Sequence, residues 1–308
     1  MHNTILLARC TTTAMAMETA SLCCPDNSWG APLDVNYGTK SLDEARGELH
    51  KIGDLELYVV LTPEEQGGSS TPSSLSQKAL CVFTDVYGLQ SRLFAICDKL
   101  SSDLSITVVA LDTFRGETRD HHVEDFNEWV ESHPFDSKKD NNSAAVYPVK
   151  NDIQSCFNFL SELYGIKSSD IGVIGFCWGV WAMIKALEMN LFRCGVGFHP
   201  SLRFESAIFG GNQEDCVKNA VENAPIFLCV AGNDSDNLKP SKEGEIAQII
   251  ESSKHDNRGN DKASPRCVEF PEMVHGWVSR GDTSVDKVKE DAETALRLAC
   301  DFLSHWMK

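Results

Sequence analysis

Seven apolar runs of strand length punctuate this chain, at residues 55–60, 79–83, 106–111, 171–174, 194–198, 226–231 and 267–270. Most are apolar nearly throughout rather than alternating, which suits strands buried on both faces. Between them lie stretches with helical spacing. At 152–163, Ile153, Cys156, Phe157, Leu160 and Leu163 share one face, and Gly165 ends the stretch. Helical spacing also marks residues 91–100, the stretch from 178 to about 190, and 243–253. The last such stretch, 284–306, carries Val288, Ala292, Ala295, Leu298 and Phe302 on one stripe. Strands alternating with helices predict an α/β architecture, a mostly parallel central sheet flanked by helices on both faces. No linker divides the pattern and no repeat recurs. One domain over residues 23–308 is expected, after a flexible segment at 1–22. The polar stretches 67–76, 112–150 and 254–265 read as loops, the second partly as an excursion above the sheet.

In open parallel sheets, ligands gather at the carboxyl ends of the strands. Three such ends carry chemistry here. Cys177 follows the run 171–174 in Gly175-Phe176-Cys177-Trp178-Gly179, Asp234 follows 226–231, and His275 follows 267–270. Their order is nucleophile, acid, histidine, as in an α/β-hydrolase triad. A nucleophile on a tight strand-to-helix turn approaches its neighbours two before and two after, so glycine at 175 and 179 avoids clashes. The turn also sets Cys177 at a helix amino terminus, which favours a thiolate. His275 would take or hold the thiol proton, and Asp234 would fix its tautomer. Asp236, two residues on, is the alternative acid. The backbone N–H of Trp178, with that of Val86 after the run 79–83, would receive an oxyanion. His199 ends a strand beside the site without an evident role, and the remaining histidines read mostly as surface or turn residues.

Charge narrows the partners. With 28 basic and 45 acidic side chains, 28 − 45 = −17, and no basic stripe forms, so nucleic-acid binding is not expected. No apolar run approaches membrane-spanning length. The 12 cysteines form no C-x-x-C pair and several sit in strand-like runs, where they read as buried small hydrophobes. That points to a reducing compartment, the cytoplasm. The alternative is an organelle reached through the first 20 residues, which hold Arg9 and no acid before Glu18.

The sequence resembles the dienelactone hydrolase (carboxymethylenebutenolidase) family, in its eukaryotic branch. The resemblance rests on Cys24-Pro25 with Trp29-Gly30, Asp85-Val86-Tyr87-Gly88, Asp112-Thr113-Phe114-Arg115-Gly116, the Cys177 motif, His199-Pro200-Ser201, Gly232-Asn233-Asp234, and His275-Gly276-Trp277 with Arg280-Gly281-Asp282. It implies a Cys177-His275-Asp234 triad and a thioester intermediate. It implies a small anionic lactone or activated ester as substrate, its carboxylate held by Arg115 and Arg280. Asp85 stands where bacterial members carry a glutamate that touches the resting thiol; one methylene shorter, it either reaches the substrate site or caps the oxyanion loop. No metal and no cofactor are implied. Three rival readings stay open: an ester or thioester hydrolase of another metabolite, a redox-reactive thiol protein, and a non-catalytic binding protein. The redox reading needs a resolving cysteine near Cys177, which the linear sequence does not reveal. Oligomeric state has no signature in the sequence.

Overall fold

The computed structural model describes residues 24–25, 27–31, 45–62, 77–137, 146–255 and 266–308. The segment 1–22, the loop 67–76 and most of the loop 254–265 lie outside the described residues. Eight strands form one sheet: β1 (Glu48–Ile52), β2 (Leu55–Val60), β3 (Ala79–Phe83), β4 (Thr107–Leu111), β5 (Ile171–Phe176), β6 (Gly195–Phe198), β7 (Ile226–Ala231) and β8 (Cys267–Phe270). Their order is β1-β2-β4-β3-β5-β6-β7-β8. The first two pairings, β1 with β2 and β2 with β4, are antiparallel. All the others are parallel.

Alternate residues of the parallel strands feed two apolar layers, as a pleated sheet with period two requires. Cys81, Phe83 and Val173 pack on one side with Ile153, Leu160, Val180 and Val217. Leu80, Val82 and Ile174 pack on the other with Leu93, Leu100, Ala295 and Leu303. The helices Val149–Tyr164, Trp178–Glu188 and Gln213–Asn223 thus cover one face, and Ser91–Leu104 and Asp286–Trp306 cover the other. That is the two-faced sandwich the alternation implies.

Several elements are absent from the sequence reading, β1 and the helix Gln213–Asn223 among them. β1 is an edge strand, half-exposed along its length, joined to β2 by a tight turn at Gly53, whose φ is 64°. An edge strand lacks the continuous apolar run of a central one. The helix Gln213–Asn223 buries only Cys216, Val217, Ala220 and Val221, too small a stripe to stand out. Its start is fixed by Asn212, whose side chain accepts from the Asp215 N–H at 2.8 Å.

The excursion after β4 is more ordered than its polar composition suggests. Within it lies the helix Phe126–Glu131. Phe114 stacks on Trp129 at 4.5 Å and meets Trp178 at 4.6 Å, so this segment roofs the first turn of the helix that follows β5. His133, read from sequence as a surface residue, is buried there, its Nδ1 against the Trp129 carbonyl at 2.8 Å. Burial pushes its pKa down to about 4.

Candidate active site

Cys177 sits at the turn between β5 and the helix Trp178–Glu188 with φ 53° and ψ −113°. A non-glycine residue rarely holds such a backbone, and it persists only where the surroundings fix it. They do so here. The Cys177 N–H donates to the Phe198 carbonyl at 3.1 Å, and the Cys177 carbonyl accepts from Val180 and Ser201. A Cβ on Gly175 would collide with the backbone of Gly179. A Cβ on Gly179 would lie 2.5 Å from the Phe83 oxygen and 2.6 Å from the Thr84 oxygen, at the end of β3 and just past it. Both glycines are therefore demanded by close backbone approach, as the spacing implied.

The other two strand ends converge on this turn. His275 Nδ1 lies 2.6 Å from Asp234 Oδ1, and both side chains are about 1% exposed. Asp234 is itself fixed: its Oδ2 accepts from the Ala231 N–H at 2.7 Å. Asn233 Oδ1 accepts from the His275 N–H at 2.6 Å, locking the loop that carries the imidazole. Asp236, the alternative acid, pairs instead with Lys239 at 3.0 Å. A ring nitrogen of His275 and the Cys177 sulfur lie within 4.8 Å of each other. Burial alone would lower the His275 pKa, but the charges of Cys177 and Asp234 outweigh it and raise it well above the ordinary histidine range. The surroundings thus favour the protonated imidazole.

β3 and β5 are hydrogen-bonded neighbours, so Val86 and Trp178 leave the sheet side by side. Both residues are fully buried. Asp85 heads the Val86 loop. Its Oδ1 accepts from the Tyr87 N–H at 2.9 Å and its Oδ2 from the Ser279 hydroxyl at 2.8 Å. These bonds tie Asp85 to the Val86 loop and to Ser279.

Arg280 and Arg115 differ sharply. The Arg280 side chain is 0% exposed, with Nη1 3.6 Å from Asp85 Oδ2 and its guanidinium over the Tyr87 ring at 4.7 Å. Yet none of its three nitrogens forms a hydrogen bond with a described residue. Burial would lower its pKa; Asp85, Cys24, Cys177 and Tyr87 more than offset this and keep it charged. Arg115, by contrast, grips Asp152 with both terminal nitrogens, at 2.8 and 2.7 Å. It also stacks on Tyr147 at 4.7 Å and lies 3.5 Å from Asp54. Its fork is filled by protein.

Four more residues join the site, of which the sequence reading had placed only His199 beside it. Ser201 Oγ is 3.3 Å from Cys177 Sγ. His199 packs edge-on against His275 at 5.0 Å, and its Nε2 is 3.4 Å from Ser279 Oγ. Burial and the neighbouring charges of His275 and Arg280 push its pKa well down, so it is a neutral spacer. Cys24 brings a second thiol: its sulfur, the Cys177 sulfur and a His275 ring nitrogen all lie within 4.8 Å of one another. Such soft donors could hold a thiophilic metal ion or form a redox pair. His199 and Ser201 do follow a strand end, which was a usable signal. Ser279 had none, and Cys24 entered only as part of the resemblance without a role, because only the fold brings their segments here.

An eight-stranded, mostly parallel sheet flanked by helices, with a strained strand-to-helix turn after a central strand, is consistent with an α/β-hydrolase fold. Residues 67–307 match the model of the dienelactone hydrolase family. The chain belongs to that family. It is 25% identical over 262 residues to a carboxymethylenebutenolidase homolog of Xenopus tropicalis, covering 83% of this chain and 88% of that protein. It is 24% identical over 260 residues to an uncharacterised AIM2 family protein of Schizosaccharomyces pombe, covering 83% and 87%. Among solved structures, a carboxyl esterase of Tuber melanosporum superposes with a TM-score of 0.50 at 12% identity, covering 98% of this chain and 100% of that one. The acylaminoacyl peptidase of Pyrococcus horikoshii superposes with a TM-score of 0.51 at 14% identity over 86% of this chain. The chain spans 42% of that peptidase's length. These structures share the fold. Among the described residues no helix is long and apolar enough to cross a membrane.

Proposed function

We propose that this protein is a cysteine-nucleophile hydrolase of a small carboxylate-bearing lactone or activated ester. Residues 23–308 form its hydrolase domain, and Cys177, His275 and Asp234 are its catalytic triad. The observation that carries the reading is the convergence of His275, oriented by Asp234 at 2.6 Å, on a cysteine held at positive φ. The Cys177 thiolate attacks the ester carbonyl. The oxyanion is received by the N–H groups of Val86 and Trp178. His275, protonated beside Asp234, gives its proton to the departing enolate or alkoxide. The neutral imidazole then activates a water that hydrolyses the thioester. A thiolate is itself a good leaving group, so the scheme favours esters whose oxygen leaves easily, such as enol-lactones.

Arg280 supplies substrate charge recognition in this reading. A buried guanidinium without hydrogen-bond acceptors is costly, and a bidentate carboxylate would satisfy it. The name of the Xenopus relative supports a lactone as substrate. Arg115 would join only by exchanging Asp152 for substrate. That pairing favours a second reading, a hydrolase of a different small ester whose anionic group is held by Arg280 alone. A thiol nucleophile suits a reducing compartment such as the cytoplasm.

The test is hydrolysis of cis- and trans-dienelactone and of an aryl acetate by the purified protein and by Cys177→Ala. Lactone turnover abolished in the variant is the expected result. Turnover of the aryl ester alone would move the substrate elsewhere. Full activity in Cys177→Ala would refute the triad.

A further inference from the structure

We infer that Cys24 is the second thiol of an oxidative modification site, which captures an oxidised Cys177 as a Cys24–Cys177 disulfide when the protein meets a hydroperoxide. The pair is joined by the fold alone, across more than 150 positions of sequence. Cys24 is 6% exposed, and its sulfur lies within 4.8 Å of both Cys177 Sγ and a His275 ring nitrogen. Its segment is tied to the catalytic loop, since the Trp29 N–H donates to the His275 carbonyl at 3.0 Å. Two cationic groups attend the pair: His275, and Arg280, which interacts with both sulfurs. Cations beside a thiol favour its reactive thiolate. His275 Nε2, fully buried, has no hydrogen bond to a described atom and is positioned to exchange a proton there.

Proximity of two sulfurs is not sufficient, as a second pair illustrates. Cys81 Sγ and Cys156 Sγ are only 3.5 Å apart, beneath β3 and the helix Val149–Tyr164. Among the described residues no cation stabilises a thiolate there, and Cys156 and burial hold the Cys81 thiol well above its ordinary pKa. The pair at the catalytic turn has both the neighbour and the charge.

The chemistry balances with hydrogen peroxide as oxidant. The Cys177 thiolate attacks one peroxide oxygen; an S–O bond forms, the O–O bond breaks, and hydroxide leaves, taking a proton from His275 to become water. Sulfur loses two electrons and the peroxide gains them, giving a sulfenic acid. The Cys24 sulfur then attacks Cys177 sulfur; an S–S bond forms, the S–O bond breaks, and the hydroxyl departs as water with the Cys24 proton. The sulfurs must close to about 2.05 Å, which requires Cys24 to move toward Cys177. The disulfide blocks the nucleophile and spares it from irreversible oxidation to sulfinic acid. Loss of hydrolysis on oxidation rests on Cys177 being the nucleophile; formation of the bond does not.

The test treats the full-length protein with hydrogen peroxide in the presence of EDTA and maps peptides without reduction. The wild type is expected to yield a Cys24–Cys177 linked peptide, with activity lost and then recovered in dithiothreitol. Cys24→Ser and Cys24→Ala are each followed relative to their own starting activity. They are expected to lose that recovery and to accumulate sulfinate on Cys177. Linked peptide in a protein without hydrolase activity would support this inference and count against the proposed function. Peroxide inactivation of the wild type without that linked peptide, or equal recovery in both variants, would overturn it.

Discussion

Replacing Arg280 by methionine separates substrate recognition from folding. The guanidinium is fully buried and pairs loosely with Asp85 at 3.6 Å, without a hydrogen bond. Removing it deletes no protein hydrogen bond, and methionine fills a similar volume with no charge to desolvate. Asp85 keeps its bonds from Tyr87 and Ser279. Folding stability should fall by about 3 kcal/mol, because removing one partner of a buried ion pair leaves the Asp85 charge uncompensated, but its two hydrogen bonds remain and the protein should stay folded. Binding should change much. A bidentate carboxylate pair contributes about 3 kcal/mol, which is a factor of roughly 150 in kcat/KM. The assay compares an aryl hydrogen succinate, which is anionic, with the corresponding neutral aryl acetate, alongside thermal melts. The loss should fall on the anionic ester, mainly through KM. An equal loss on both esters, or a collapse of the melting temperature, would refute the reasoning and make Arg280 a structural residue.

Three further outcomes follow from the same geometry. Asp234→Asn should lower kcat by roughly 10³–10⁴-fold while the protein stays folded, because the amide no longer fixes the productive tautomer; a loss under tenfold in steady-state kinetics would contradict Asp234 as the orienting acid. Gly179→Ala should lower the melting temperature and activity together, since its Cβ must displace the Phe83 and Thr84 carbonyls that lie 2.5 and 2.6 Å away; overpacking of this kind costs about 1–3 kcal/mol. His133, neutral when folded with a pKa of about 4, resists a proton that the unfolded chain accepts near pH 6.5. Its contribution is therefore intact above about pH 6.5 and is lost as pH falls toward 4, for a total of about 3 kcal/mol. Denaturation across that window should be less steeply pH-dependent in His133→Gln.

How much of this was legible in the sequence follows from what makes a signal local. The central strands announce themselves because burial on both faces forces continuous apolar runs, as at 79–83 and 226–231. The nucleophile turn is legible because backbone crowding is a contact between residues two apart, and it leaves glycine at 175 and 179. Asp234 and His275 follow from strand ends in the same way. Edge strand β1 was missed because half-exposure permits ordinary polar residues such as Glu48 and Lys51. The pairing of Arg115 with Asp152 was missed because the two meet across 37 positions with no pattern at either end. Cys24 joins the site for the same kind of reason: only the folded chain lays its segment over the loop of His275. Site members contributed by tertiary packing leave no periodicity to read.

The central claim is that Cys177 carries the acyl group. The direct measurement is acid quench during turnover of an aryl ester, followed by intact mass and peptide mapping of the trapped protein. The account predicts an acyl group on Cys177 as a thioester labile to hydroxylamine, and no such group on the Cys177→Ala protein. Ser201 Oγ, 3.3 Å from the cysteine sulfur, is the rival nucleophile. An acyl group on Ser201, or sustained turnover with no acyl group on Cys177, would contradict the account.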